Sequence, residues 1–74
     1  MNQGTFHVIL FDSVSSALLA EKILKKQGLP FKIIPVPRHI SSDCGVCIRV
    51  RSPECDRIET ALTGWVEIQD ICPL

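Results

Sequence analysis

The chain has no tyrosine, one tryptophan and three phenylalanines in 74 residues. Such scarcity argues against an aromatic platform for stacking single-stranded nucleic acid. It also has no charge excess, since eight Lys and Arg balance eight Asp and Glu. Zero net charge gives no general attraction to nucleic acid or to an anionic membrane, so neither is expected as a partner. No apolar run approaches the roughly 18 residues that a membrane span needs. The opening Met1-Asn2-Gln3-Gly4-Thr5 lacks a basic region and a small-residue cleavage site, so the expected location is the cytoplasm. Paired carboxylates, a Ser-His-Asp signature and a phosphate-binding glycine loop are also missing, and no cofactor is implied. Composition leaves open whether the chain is an enzyme.

What is present is a high apolar content, 46% against 22% charged residues. This describes one compact domain spanning residues 1–74 and not a disordered tail. A domain of this size buries only about 60% of its unfolded surface. Four cysteines are many for such a chain. With an export signal they would suggest two disulfides; without one, reduced thiols are the default. Catalysis, metal binding and core packing then compete as explanations.

The apolar run Phe6-His7-Val8-Ile9-Leu10-Phe11 reads as a buried strand. Asp12 or Ser13 can cap a helix over 14–27, in which Ala17, Ala20 and Leu24 share one face beside Ile23. Gly28 is suited to end it, with Leu29 placed for the apolar contact that follows such an end. Glu21 and Lys25 are spaced to pair on its surface. A second strand over 31–36 contains Pro35 and is followed by Pro37, which assigns it to a sheet edge. After a long turn, Val46-Cys47-Ile48-Arg49-Val50-Arg51 alternates, with Val46, Ile48 and Val50 toward the core and Cys47, Arg49 and Arg51 away from it. Ser52-Pro53 opens a second helix to about Thr63, striped by Cys55, Ile58, Ala61 and Leu62. Gly64 ends it, and Trp65-Val66-Glu67-Ile68-Gln69 reads as the last strand.

The order β-α-β-β-α-β is the ferredoxin-like split βαβ sandwich, an α+β fold. Its four-stranded antiparallel sheet has expected order 4-1-3-2, and right-handed crossovers put both helices on one face. The other face is expected to be bare. His7, Ile9 and Phe11 would contribute to it with Cys47 and Arg49, and a homodimer could form there.

This topology separates the cysteines. Cys44 and Cys47 belong to the end where the first helix starts, Cys55 and Cys72 to the opposite end. A closed zinc site needs four converging ligands, so no metal site is assigned. Cys44-Gly45-Val46-Cys47 is the feature that carries chemistry. A helix N-terminus favours a nearby thiolate, and Ser13, Ser15 and Ser16 stand at that start. Arg38 and His39 enter the same loop, Arg49 shares the face of Cys47, and Gly45 lets the backbone beside Cys44 take unusual angles. The competing reading is packing. Cys55 fits the helix stripe as core filler, Cys72 a terminal packed position, Cys47 an apolar patch, and Cys44 an inert turn. Arg49 and Arg51 read as a solvated face or, more sharply, as a small-anion site.

The phrases Phe11-Asp12-Ser13, Ile34-Pro35-Val36-Pro37-Arg38 and Ile40-Ser41-Ser42-Asp43-Cys44-Gly45, together with the helix over 17–25, resemble a small bacterial family of selenium/sulfur carrier-like proteins. The resemblance covers nearly the whole chain. The Pro-x-Pro-Arg and Ser-Ser-Asp-Cys-Gly phrases are its most specific parts. It implies a cytoplasmic domain whose carrier thiol is Cys44, framed by Pro35, Pro37, Arg38, Ser41, Ser42 and Gly45. The Cys-Pro-x-Pro helix-start phrase of established sulfur-transfer domains is missing. The function expected is a sulfur or selenium carrier holding a persulfide or selenosulfide on Cys44, with a protein donor and a protein acceptor. Two alternatives stand beside it: a non-catalytic interaction or regulatory module acting through the open sheet face, and a thiol-disulfide protein in which Cys47 resolves Cys44.

Overall fold

The computed structural model describes residues 5–40 and 44–74. The elements are β1 (Phe6–Leu10), α1 (Val14–Gln27), β2 (Lys32–Pro35), β3 (Val46–Arg51), α2 (Cys55–Leu62) and β4 (Asp70–Pro73), with a 3-10 turn over Ser52–Glu54 before α2. The strands form one antiparallel sheet in the order β2-β3-β1-β4. This is the β-α-β-β-α-β arrangement expected from the sequence, with β2 at an edge.

Register comes from a row of isoleucines. Ile33 pairs with Ile48, Ile48 with Ile9, and Ile9 with Ile71, so the row crosses all four strands. Directly opposed β-branched side chains pack well across a pleated ladder. The row faces the helices, where Ile9, Ile48 and Val50 are buried with Phe11, Ala17, Ala20, Leu24, Ile58 and Leu62. Both helix stripes expected from the periodicity enter this cluster.

The helix ends follow local chemistry. Ser13 caps α1 by accepting the amide of Ser16 at 3.2 Å. At the other end Gly28 adopts φ 71°. Its N–H reaches the Lys25 carbonyl at 3.2 Å, and the Leu29 N–H reaches the Leu24 carbonyl at 3.0 Å. This is a Schellman closure, with Leu29 packed on the core. The Glu21–Lys25 ion pair forms on the surface at 3.3 Å.

Three expectations are corrected. The last strand is Asp70–Pro73 and not 65–69. The Trp65 and Val66 amides both close on the Leu62 carbonyl, so the stretch begins as a turn. The sequence placed Ile9 and Phe11 on the outer sheet face, whereas both lie in the helix-side core. Their neighbours Val8 and Leu10 point outward. Nor is the outer face bare: Val8, Leu10 and Cys47 are buried there, with Ile34, Val36, Ile40 and Cys72 packed against them. Val36 and Ile40, from the β2–β3 connection, supply part of that cover.

These placements set the scale of substitution effects. Ile48→Ala, at the centre of the row, is expected to lower unfolding stability by about 3 kcal/mol. Gly28→Ala should cost about 1 kcal/mol through left-handed strain, since a Cβ there meets nothing within 4 Å. Leu18→Ala, on the exposed face of α1, should stay within about 0.5 kcal/mol. Urea unfolding of the three variants measures all of these effects.

Candidate functional site

The β1–β3 register fixes where Cys44 lies. Ile9 pairs with Ile48 and Val8 with Arg49. Cys44 lies two residues before β3, at the end of that strand that pairs with the C-terminal part of β1, from which the chain turns into α1. The Val36 amide donates to the Gly45 carbonyl at 3.2 Å, extending the β2–β3 ladder beyond Pro35 and Val46. Cys44 therefore sits at the sheet end where α1 begins, as the topology predicts.

Its environment differs from the expected polar loop. Cys44 is only 3% exposed and belongs to the helix-side core. A run rich in Pro, Ser and Gly reads as solvated, yet this cysteine turns inward among Phe11, Ala17 and Ile48. Gly45 beside it is exposed and does not adopt a positive φ. A Cβ at Gly45 would meet nothing within 4 Å. Neither strain nor crowding demands glycine there, so the unusual backbone angles expected at this position are not found.

The expected anion-stabilising group is only partly assembled. Ser13 Oγ is engaged in capping α1 and donates to Ser16 Oγ at 3.3 Å. Ser15 is exposed and Ser16 half-buried. Arg38 and His39 are exposed on a turn closed by the Ile40 amide on the Pro37 carbonyl at 3.0 Å. That turn is anchored through Val36 and Ile40 on the outer face, whereas Cys44 faces the helices. Arg49 lies over the Phe6 ring, 4.4 Å from its centroid, near the opposite end of the sheet. Ser41 and Ser42 fall outside the described residues.

Cys47 is fully buried in the outer cluster, its thiol directed at the Pro35 carbonyl at 4.0 Å. Burial pushes its pKa up, and the charge that Cys44 would carry pushes it further. The side chains of Cys44 and Cys47 enter clusters on opposite faces, and none of the four cysteines is in a disulfide. Cys55 is buried in the helix-side core as its stripe position implies; burial, then Asp56 and Glu59, raise its pKa. Cys72 is half-buried and donates to Asp70 Oδ2 at 3.8 Å; burial, then the charge and hydrogen bond of Asp70, raise it. A raised pKa leaves less thiolate near neutrality and weakens each of these three as a nucleophile. His7 is half-buried on the helix side of the sheet, with Nδ1 2.7 Å from Ser52 Oγ. Among the described residues no three His, Cys, Asp or Glu side chains converge as metal ligands. No helix among them is long and apolar enough to cross a membrane.

The exposure of Trp65, and the part that Phe6 and Lys32 take beside Arg49 and Arg51, were not expected from the sequence. Trp65 is 73% exposed, on the turn after α2. Phe6 and Lys32 join Arg49 and Arg51 around one shallow cavity. The polar positions of β3 signalled the second feature; the strand assigned to 65–69 concealed the first.

Cys47 provides a pH test. It holds its proton to higher pH in the folded chain than in the unfolded one. Its contribution to stability is therefore complete below the unfolded thiol pKa, about 8.5, and is lost as pH rises above it. Urea unfolding of the wild type should weaken progressively above that pH. Cys47→Ala should be less stable throughout but show a shallower decline; an identical decline would assign the effect elsewhere.

The family model described as "Putative Se/S carrier protein-like" matches residues 6–73. The uncharacterized protein YtiA of Escherichia coli (strain K12) is 28% identical over 60 residues, covering 81% of this chain and 71% of YtiA. No solved structure gives a significant match.

Proposed function

The chain belongs to the Se/S carrier protein-like family, and from that premise we propose that it is a sulfur or selenium carrier whose cargo rides on Cys44. The observation that carries the reading is the position of Cys44, at the end of the sheet where β1 leads into α1 and in the buried cluster that also holds Phe11 and, from the first turns of α1, Ala17. The first amides of a helix have no intrahelical partner, and their partial positive charge favours an anion. A persulfide or selenosulfide is such an anion.

The chemistry needs no cofactor. The Cys44 thiolate attacks the outer sulfur of a donor protein's persulfide. A new S–S bond forms at Cys44, the donor's S–S bond breaks, and the donor thiolate leaves. The acceptor's nucleophile later attacks the terminal sulfur and returns Cys44 as a thiolate. Selenium would follow the same electron bookkeeping. Donor and acceptor are both proteins in this proposal, and the cytoplasm is its setting.

Burial of Cys44 at 3% exposure adds a requirement: its neighbours must move before a donor can reach the sulfur. Loading should therefore be limited by local opening. Incubation with a cysteine desulfurase and cysteine, followed by intact-mass analysis, should show one sulfur adduct on Cys44, formed faster in sub-denaturing urea. Neither Cys44→Ser nor Cys44→Ala should acquire it. An unmodified wild type, or an equal adduct on the variants, would refute the assignment.

A second reading, an interaction module, is favoured by one observation. Val14, Leu18, Leu19 and Trp65 expose large apolar side chains, whereas part of the outer sheet face is already covered. A homodimer of this kind would use Trp65 and not that sheet face. Sedimentation should then give a concentration-dependent dimer that Trp65→Ser abolishes, and a monomer at every concentration would remove it.

A further inference from the structure

Lys32, Arg49 and Arg51 meet on the outer face of the sheet, at the end away from Cys44. Lys32 is directly opposite Arg49 in the β2–β3 ladder, and Arg51, opposite Phe6, alternates onto the same face as Arg49. Like charges directly opposed across strands are destabilising. Neither of the ion pairs found among the described residues, Lys25–Glu21 and Arg57–Glu54, involves these three cations. They surround a shallow cavity of about 260 Å³, completed by Phe6, Pro30 and Phe31. Arg49 is half-buried and held over the Phe6 ring at 4.4 Å from its centroid. Three of the chain's eight cations are thus concentrated against one small apolar wall.

We infer that this cavity binds a small phosphate-class oxyanion, such as phosphate, pyrophosphate or a compact phosphate ester. An anion would relieve the repulsion between Lys32 and Arg49. Two guanidinium groups offer planar, paired donors that match phosphate oxygens. The stack on Phe6 holds one of them in place before a ligand arrives. Three cations around one shallow depression suit a compact polyanion that all of them can reach. The site is remote from Cys44, so its occupancy does not depend on the carrier reading.

Titration of ¹⁵N-labelled protein with inorganic phosphate and with pyrophosphate, at constant ionic strength set by chloride, tests the inference. Saturable shifts are expected at Phe6, Lys32, Arg49 and Arg51, with pyrophosphate the tighter ligand. The double variant Lys32→Gln/Arg51→Gln should bind about tenfold more weakly or worse, a loss of about 1.4 kcal/mol. Arg49→Lys keeps the charge but loses the fork and the flat stack. With a native spectrum it should also bind more weakly, which keeps the test open if the double variant does not fold. Shifts that stay linear to about 10 mM, well beyond the affinity of a specific anion site, would overturn the proposal. So would shifts centred on Lys22, Lys25 and Lys26 of α1, or affinities that the substitutions leave unchanged.

Discussion

The row Ile33–Ile48–Ile9–Ile71 is the constraint on which the other placements depend. Side chains alternate along a strand, so a slip of one residue would exchange the two faces. With these isoleucines turned toward α1 and α2, Val8, Leu10 and Cys47 must face the other way. Lys32, Arg49 and Arg51 must then gather on the outer surface. The same pairing sets Cys44 at the end of the sheet where α1 begins. Core, basic cavity and candidate thiol therefore follow from one pairing, and its energy comes mainly from apolar burial.

The legible parts of the sequence were those where polarity marks direction. In β3, cysteine and arginine alternate with Val46, Ile48 and Val50, and every side chain points where that pattern says. The α1 stripe and its Gly28 ending were equally plain. In β1 the run from Val8 to Phe11 is apolar throughout, so alternation carries no signal. Parity there is set only by partners on β3 and β4. The stretch 65–69 has strand-forming residues, but the Leu62 carbonyl captures two amides and delays the strand. Local hydrogen bonding at the end of α2 overrode the strand preference of these residues. Cys44 illustrates a third limit. Its neighbours in sequence are polar, whereas its neighbours in space belong to the core.

The two supports of the carrier proposal are the Ser-Ser-Asp-Cys-Gly phrase and the place of Cys44 at the sheet end. The burial of its side chain gives the carrier proposal a particular form. A thiol packed in the core is protected from adventitious oxidation and accessible only when the surrounding structure opens. A donor that bound the α1 start or the adjoining segment could promote that opening by favouring the open state. Cys47, Cys55 and Cys72 are held toward the protonated form by burial and by neighbouring carboxylates or thiol, which disfavours loading elsewhere. Zero net charge conceals a separation between the basic outer cavity and an acidic region near Glu59, Glu67 and Asp70. The two proposals, sulfur chemistry at Cys44 and anion binding at Arg49 and Arg51, thus concern separate ends of one small sheet.

The most direct measurement is position-resolved alkylation of the native, reduced protein by a small electrophile, read by peptide mass spectrometry across a series of sub-denaturing urea concentrations. Modification of Cys44 should outpace that of Cys47 and Cys55. Its rate should rise with urea along a slope smaller than that of global unfolding, the signature of local opening. If Cys44 is modified only at the rate of global unfolding, or if Cys47 or Cys55 reacts first, the account of Cys44 as an accessible carrier thiol is contradicted.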